Sequence, residues 1–343
     1  MKLSTTVSLI SLLFFRIATS SAFPSIEDIR FGIDLTIHER YDNAIDHFTR
    51  IKNDFPEHPA GSFFLAAVWQ SRMLDFETFR WEQVYHQHLE ETIRIAEGRL
   101  RQNPNDIDSR FFLGAALSYK SYDAARRKKY LIAIQTALRS IKHLSKVTAA
   151  DSLFCDAYLG IGSYKYWRSR LTENFSWLPF FPDQKSEGIE MLEKAGECGI
   201  YTKWVSLSNL AWIFIEEKAY ERAIEISKSA LVHFPHSRFF LWPLGDAQFK
   251  NGEFSKALVT YNTLLTSVVN ADVNNHYNEI TLHVKIAQCH LELGNDEAAK
   301  QECLSALGII PDKEVEKRCR HKKDEAIGVL NELSRRNGAG GRR

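Results

Sequence analysis

Three stretches of the chain share one spacing: a small residue, a second small residue twelve positions on, and a proline twenty-four positions on. They are Gly32, Ala44 and Pro56; Ala211, Ala223 and Pro235; and Ala287, Ala299 and Pro311. A fourth, Gly245 and Ala257, keeps the first interval with Gly252 between the two and lacks only the proline. A fixed period of this kind has to be sought before any single motif, because it decides the fold. Here it predicts helical hairpins. The paired small residues let two helices approach closely, Phe254 and Tyr261 share one face of a second helix at seven apart, and the proline ends that helix by removing a donor from the ladder. Each hairpin leaves an apolar face uncovered, so neighbours must stack into a solenoid.

These residues resemble the tetratricopeptide repeat family, most closely over 25–58, 204–237, 238–271 and 280–313 and less regularly over 59–203. The resemblance implies an all-α, right-handed α-solenoid of about seven hairpins whose concave face binds a peptide or a partner protein. A family of this kind specifies a fold and leaves the task open.

The irregularity lies between 59 and 203. From Ala66 the closing proline, Pro104, is thirty-eight residues away; from Gly114 the second small residue, Ala133, is nineteen away; from Gly160 the next, Gly188, is twenty-eight away. These intervals predict three consecutive hairpins lengthened between their helices, with helical inserts around 74–85 and 119–129. The third insertion holds "YKYWRSRLTENFSWLPFFPDQ", residues 164–184, with seven aromatic rings and two prolines. Its Tyr166, Trp167, Trp177, Phe180 and Phe181, with Arg168 and Arg170, form the candidate protein-binding site, since aromatic and arginine side chains dominate interface energetics. The competing reading is that the rings pack locally across the opened hairpin and the arginines pair with neighbouring acids. Asn174–Phe175–Ser176 fits a glycosylation acceptor.

At the amino terminus, Lys2 precedes the apolar run "VSLISLLFF" and the small residues "SSA" before Phe23. This reads as a signal peptide over 1–22, followed by a solenoid over 23–334 and a disordered tail over 335–343. The run is too short to span a bilayer. Without residues 1–22 the chain carries 42 basic and 43 acidic side chains, a balance that disfavours nucleic acid as partner. The five cysteines, Cys155, Cys198, Cys289, Cys303 and Cys319, match neither a disulfide framework nor a zinc pattern and read as free or buried thiols. If any two were to pair, Cys289 and Cys303 on one hairpin are the candidates.

Chemical motifs are otherwise absent from the sequence. His86 and His88, near Glu90 and Glu91, point about 200° apart on a helix and cannot share an ion. "ARRKK" ending at Lys129 is a basic patch without a phosphate-binding glycine loop. No glycine-flanked nucleophile or zinc helix occurs, and no cofactor is expected. The expectation is therefore an exported, periplasmic or extracellular, non-enzymatic scaffold. The alternative is a small-ligand or glycan-binding protein using residues 164–184, with aromatic stacking as its means of recognition.

Overall fold

A computed structural model describes residues 23–173 and 182–340, the side chains as far as residue 336. The described residues form seven antiparallel helical hairpins and a closing helix, with no strand. The pairs are α1 (Ile26–Ile37) with α2 (Tyr41–Asp54), α3 (Pro59–Asp75) with α4 (Glu82–Gln102), α5 (Ile107–Arg126) with α6 (Tyr130–Ala150), and α7 (Ala157–Leu171) with α8 (Lys185–Cys198). They continue as α9 (Lys203–Glu216) with α10 (Tyr220–His233), α11 (Arg238–Lys250) with α12 (Phe254–Val269), α13 (Tyr277–Glu292) with α14 (Asp296–Gly308), and α15 (Glu316–Gly340). The all-α solenoid read from the spacing is the fold observed. The last helix runs past residue 334, where the sequence reading ended the solenoid.

The small residues do what their spacing implies. A Cβ at Gly245 would stand 2.6 Å from Tyr261 Cε1, and Gly32 faces the ring of Phe48 in the same way. In each hairpin a glycine therefore makes the socket for an aromatic ring of the second helix, and both rings are fully buried.

The turns are equally regular. Five hairpins are closed by three residues whose middle member is left-handed: Glu39, Lys128, Lys218, Gly252 and Gly294, with φ between 59° and 75°. In each, the following N–H bonds back across the turn, as Arg40 N does to the Leu35 carbonyl and Lys129 N to the Ala124 carbonyl. This is the Schellman closure of a helix end.

That turn corrects the reading of the middle of the chain. The α5–α6 hairpin has the same three-residue turn as the regular hairpins, so nothing is inserted between its helices; the helices are longer, at 20 and 21 residues. Ser121 Oγ donates to the Ala133 carbonyl at 2.8 Å, so Ser121 rather than Gly114 stands opposite Ala133. Gly114 lies two turns deeper, where its carbonyl accepts from Ser140 Oγ at 2.7 Å. The α3–α4 hairpin likewise gains length in helices of 17 and 21 residues, around a loop over 76–81. Only α7 and α8 are parted by a long connection, 172–184, of which 174–181 lie outside the described residues. Within that pair Gly162, not Gly160, meets Gly188: a Cβ on Gly162 would lie 2.6 Å from the Gly188 carbonyl oxygen, whereas Gly160 packs on Leu144 of the preceding hairpin.

The stack comes round on itself. Ser237 Oγ donates to the Ile37 carbonyl (2.8 Å), Asn275 Nδ2 to the Phe76 carbonyl (2.9 Å) and Asn278 Nδ2 to the Asp75 carbonyl (2.7 Å). These bonds join residues 199–203 positions apart, which is five hairpins. One superhelical turn thus sets the turn ends of the first two hairpins on the starting ends of α11 and α13. Ile37 packs with Ala230, Phe234 and Phe240 at the same junction.

Candidate functional site

The sequence-predicted site lies at the stem of the α7–α8 connection. Tyr166 is fully buried and its hydroxyl donates to Glu217 Oε1 at 2.7 Å; it is a core residue, not a surface contact. Burial and the neighbouring carboxylate push its phenol well above the ordinary range. Trp167 is 38% exposed and sets its ring edge-on to Tyr166. Arg168 Nη1 reaches Gln184 Oε1 at 3.5 Å. Arg170 binds Glu173 at 2.6 Å and stands 3.8 Å from Glu216. Lys185 shares Glu173 with it at 3.2 Å and stands 3.9 Å from Glu217, and Gln184 N donates to Ser169 Oγ at 2.9 Å. Arg170 and Lys185 are thus held in an ion network and Arg168 on Gln184, and together these contacts pin the two ends of the connection. Trp177, Phe180 and Phe181, with the acceptor pattern at 174–176, lie outside the described residues.

The other end of this hairpin is closed covalently. Cys155 and Cys198 form a disulfide, while Cys289, Cys303 and Cys319 are free and buried. This corrects the reading of the cysteines: the pair is made by residues at the entrance of α7 and the end of α8, which antiparallel packing brings together across 43 positions. Burial pushes the Cys289 thiol up to about 12 and the Cys303 thiol to about 11, leaving both as inert core groups. Beside the disulfide, Asp156 Oδ1 accepts from Tyr201 N (2.7 Å), Thr202 N (2.8 Å) and Thr202 Oγ1 (2.9 Å). The start of α9 is thereby tied to hairpin α7–α8.

Contacts between distant hairpins bury further aromatic and charged groups. Tyr201, in the connection between α8 and α9, sets its ring against Phe64, Phe111 and Phe112 of α3 and α5. Arg238, only 7% exposed, forks onto Asp75 with Nε–Oδ1 at 2.8 Å and Nη2–Oδ2 at 2.5 Å. Its Nη1 lies 3.2 Å from Glu39 Oε2 and donates to Ser267 Oγ at 2.8 Å. Tyr41 donates to Asp75 Oδ2 at 3.0 Å. Burial first, then the charge of Asp75, pushes the Glu39 carboxyl up to about 7, against the pull of Arg238. A small polar pocket lined by Asp75, Phe76, Arg238, Asn275 and Asn278 is what remains at this junction. No sequence signal joins Glu39, Asp75 and Arg238, because only the superhelical return brings them together.

His86 and His88 do not converge: His86 Nε2 stands 3.4 Å from Asp123 and His88 Nδ1 3.7 Å from Glu91. Among the described residues no group of acids, histidines and cysteines could hold a metal.

The geometry defines a helical-hairpin solenoid. Residues 280–313, which span most of hairpin α13–α14, match the family model described as tetratricopeptide repeat. Among solved structures, the chain is similar to the C-terminal part of a TPR repeat-containing protein from Cytophaga hutchinsonii, at 14% identity and TM-score 0.41, covering 85% of this chain and 98% of that one. It is also similar to a tetratricopeptide repeat protein from Parabacteroides merdae, at 12% identity and TM-score 0.38, covering 88% and 98%. A third likeness is to the human IFIT1 dimer with m7Gppp-AAAA, at 11% identity and TM-score 0.43, covering 91% and 82%. No curated protein sequence matches the chain.

Proposed function

We propose that this protein is an exported, non-enzymatic scaffold that mediates protein–protein interaction in an envelope or secretory assembly. The observation that carries the reading is the stack of helical hairpins, one of them matching the tetratricopeptide repeat model. Such a stack presents an extended rigid surface whose side chains can be varied without altering the fold. Its closure on itself holds that surface in one shape, which lowers the ordering cost of binding. Export, to the periplasm or the extracellular space, is supported by the apolar leader in the sequence and is consistent with the Cys155–Cys198 disulfide, a bond that persists in oxidising compartments. The contact surface is the stem of the α7–α8 connection, where Trp167 and Leu171 are exposed, and the sequence of that connection adds Trp177, Phe180 and Phe181 to the proposed site.

The test is affinity capture from a native envelope extract, beside a variant with Trp167, Trp177, Phe180 and Phe181 replaced by alanine and its helicity checked. One protein retained by the parent and lost by the variant supports the scaffold. Failure of both to retain any protein overturns it. Amino-terminal sequencing of the secreted chain tests export, with Phe23 expected as the first residue.

A further inference from the structure

The turn end of hairpin α5–α6 combines apolar and cationic groups with no acid left to balance them. Between residues 126 and 150 there are seven lysines and arginines and no aspartate or glutamate. Helix α6 buries Ala133, Thr136, Ser140, Leu144 and Val147 against its neighbours. Its opposite face carries Leu131, Ile134 and Leu138 at i, i+3 and i+7, between 53% and 79% exposed, flanked by exposed Tyr130 and Ile132. These five side chains leave roughly 500 Å² in water, near the top of what a soluble monomer's largest apolar patch shows. Both nearby acids are engaged by one cation, since Arg127 binds Asp123 at 2.9 Å and Glu82 at 2.6 Å. Lys128 and Lys129 are exposed and appear in no ion pair among the described residues. Arg126 lies 5.0 Å from the ring centre of Phe79, which is itself exposed, as is Tyr122. Farther along, Arg139, Lys142 and Lys146 of α6 and Arg110 of α5 act on His143, and burial together with these cations holds its imidazole down to about 4; of them Arg139 lies 3.5 Å from Glu97.

We propose that this tip docks on an anionic lipid bilayer, with Leu131, Ile134 and Leu138 entering the headgroup layer and Lys128 and Lys129 on lipid phosphates. Aliphatic side chains at the acyl boundary, tyrosines at headgroup depth and lysines reaching outward are what an interfacial helix requires. A second copy fits worse, because a two-fold contact would set the same unbalanced cations against each other, a juxtaposition that costs several kcal/mol. No described helix is long and apolar enough to cross a membrane, so the contact is peripheral. It stands apart from the protein-binding reading and rests on other residues.

Native thiols permit a local test. Two are disulfide-bonded and three are buried, so in the full chain a Leu131→Cys variant can be labelled at that position with an environment-sensitive dye. A Val259→Cys variant, on the exposed face of α12, carries the same leader and reports any membrane contact made elsewhere. With vesicles of phosphatidylglycerol and phosphatidylcholine, the dye at 131 is expected to brighten and shift to the blue, reversibly with salt, while the dye at 259 stays unchanged. Adding Lys128→Glu and Lys129→Glu should raise the lipid concentration at half-saturation by at least about 30-fold. No response at 131, or an equal response to pure phosphatidylcholine that ignores the lysines, overturns the proposal. So does a response that follows protein concentration without lipid, which assigns the face to a second copy, or one elicited by an acidic helical peptide and not by vesicles.

Discussion

Arg238 and Asp75 are 163 positions apart, yet the guanidinium of one lies in a two-bond fork on the carboxylate of the other, with both side chains under a tenth exposed. The pair sits where α11 begins and α3 ends, with Glu39 of the first turn as a third charge. It fastens one superhelical turn to the next.

Removing one partner of a buried pair is far costlier than the pair's net worth, since the remaining charge stays buried. Arg238→Ala is expected to destabilise the chain by about 3–5 kcal/mol, and more at pH 8 than at pH 5, where Glu39 takes up a proton. Urea unfolding at the two pH values measures this. An equal loss at both, or a loss under about 1 kcal/mol, would show that the cluster is not holding the turns together.

Glu39 also sets a direction for pH. Its carboxyl titrates near 7 in the folded chain against an ordinary 4.5, so between those values the folded state keeps a proton that the unfolded state has released. The stabilisation is complete below about 4.5 and is lost as pH rises through 7. Glu39→Gln should flatten that slope and raise Tm relative to the parent at pH 8. His58 acts in the opposite sense: burial, then the charge of Arg99, holds its imidazole down to about 4, so its contribution is present above about 6.5 and lost as pH falls toward 4. Subtracting the Glu39→Gln curve from the parent isolates the first effect.

Two turns with the same backbone should respond oppositely to glycine. Lys218 is exposed with φ of 59° and no ion pair among the described residues, and the left-handed conformation costs a side-chain-bearing residue about 1–2 kcal/mol. Lys218→Gly is expected to stabilise by about 0.5–1 kcal/mol, part of the gain being offset by the flexibility of glycine in the unfolded chain. Glu39→Gly has the same φ, 60°, but removes a partner of Arg238 and should destabilise. Thermal melts of both variants decide it, and stabilisation by Glu39→Gly would deny the clasp.

Gly245→Ala puts a methyl 2.6 Å from the Tyr261 ring, whose hydroxyl is fixed on Asp246 at 2.7 Å and cannot swing away. A loss of about 1–3 kcal/mol is expected. Gly308→Ala, where a Cβ meets nothing within 4 Å, is the control and should be neutral or slightly stabilising within its helix.

Reduction of Cys155–Cys198, or Cys155→Ala with Cys198→Ala, opens a closure across 43 positions. The chain-entropy account puts the cost at about 2–4 kcal/mol, read as a fall in the urea midpoint with helicity retained in water. An unchanged midpoint would mean that Asp156 and its four hydrogen bonds at the start of α9 suffice there.

The helical hairpins were legible because each is made by residues close in sequence. A glycine twelve positions from an alanine, a ring to fill the socket and a proline at the helix end state the unit completely. Lengthened helices read as insertions in the sequence, because a spacing count cannot tell two added turns of helix from an added loop. The three-residue turn with Lys128 left-handed made that distinction. The same limit applies to the site: Tyr166 and Trp167 are neighbours in the chain, yet one is core and the other surface, and only the packing of α7 on α8 and α9 divides them. The closure through Glu39, Asp75 and Arg238 and the setting of Tyr201 against Phe64, Phe111 and Phe112 depend on how far each hairpin rotates against the last, while the choice of Cys155 and Cys198 as partners depends on how α7 packs on α8. That rotation is summed over five hairpins before the first residues meet the later ones. Local sequence determined the repeating unit; the accumulated geometry of stacking decided which of its residues became core, clasp or surface.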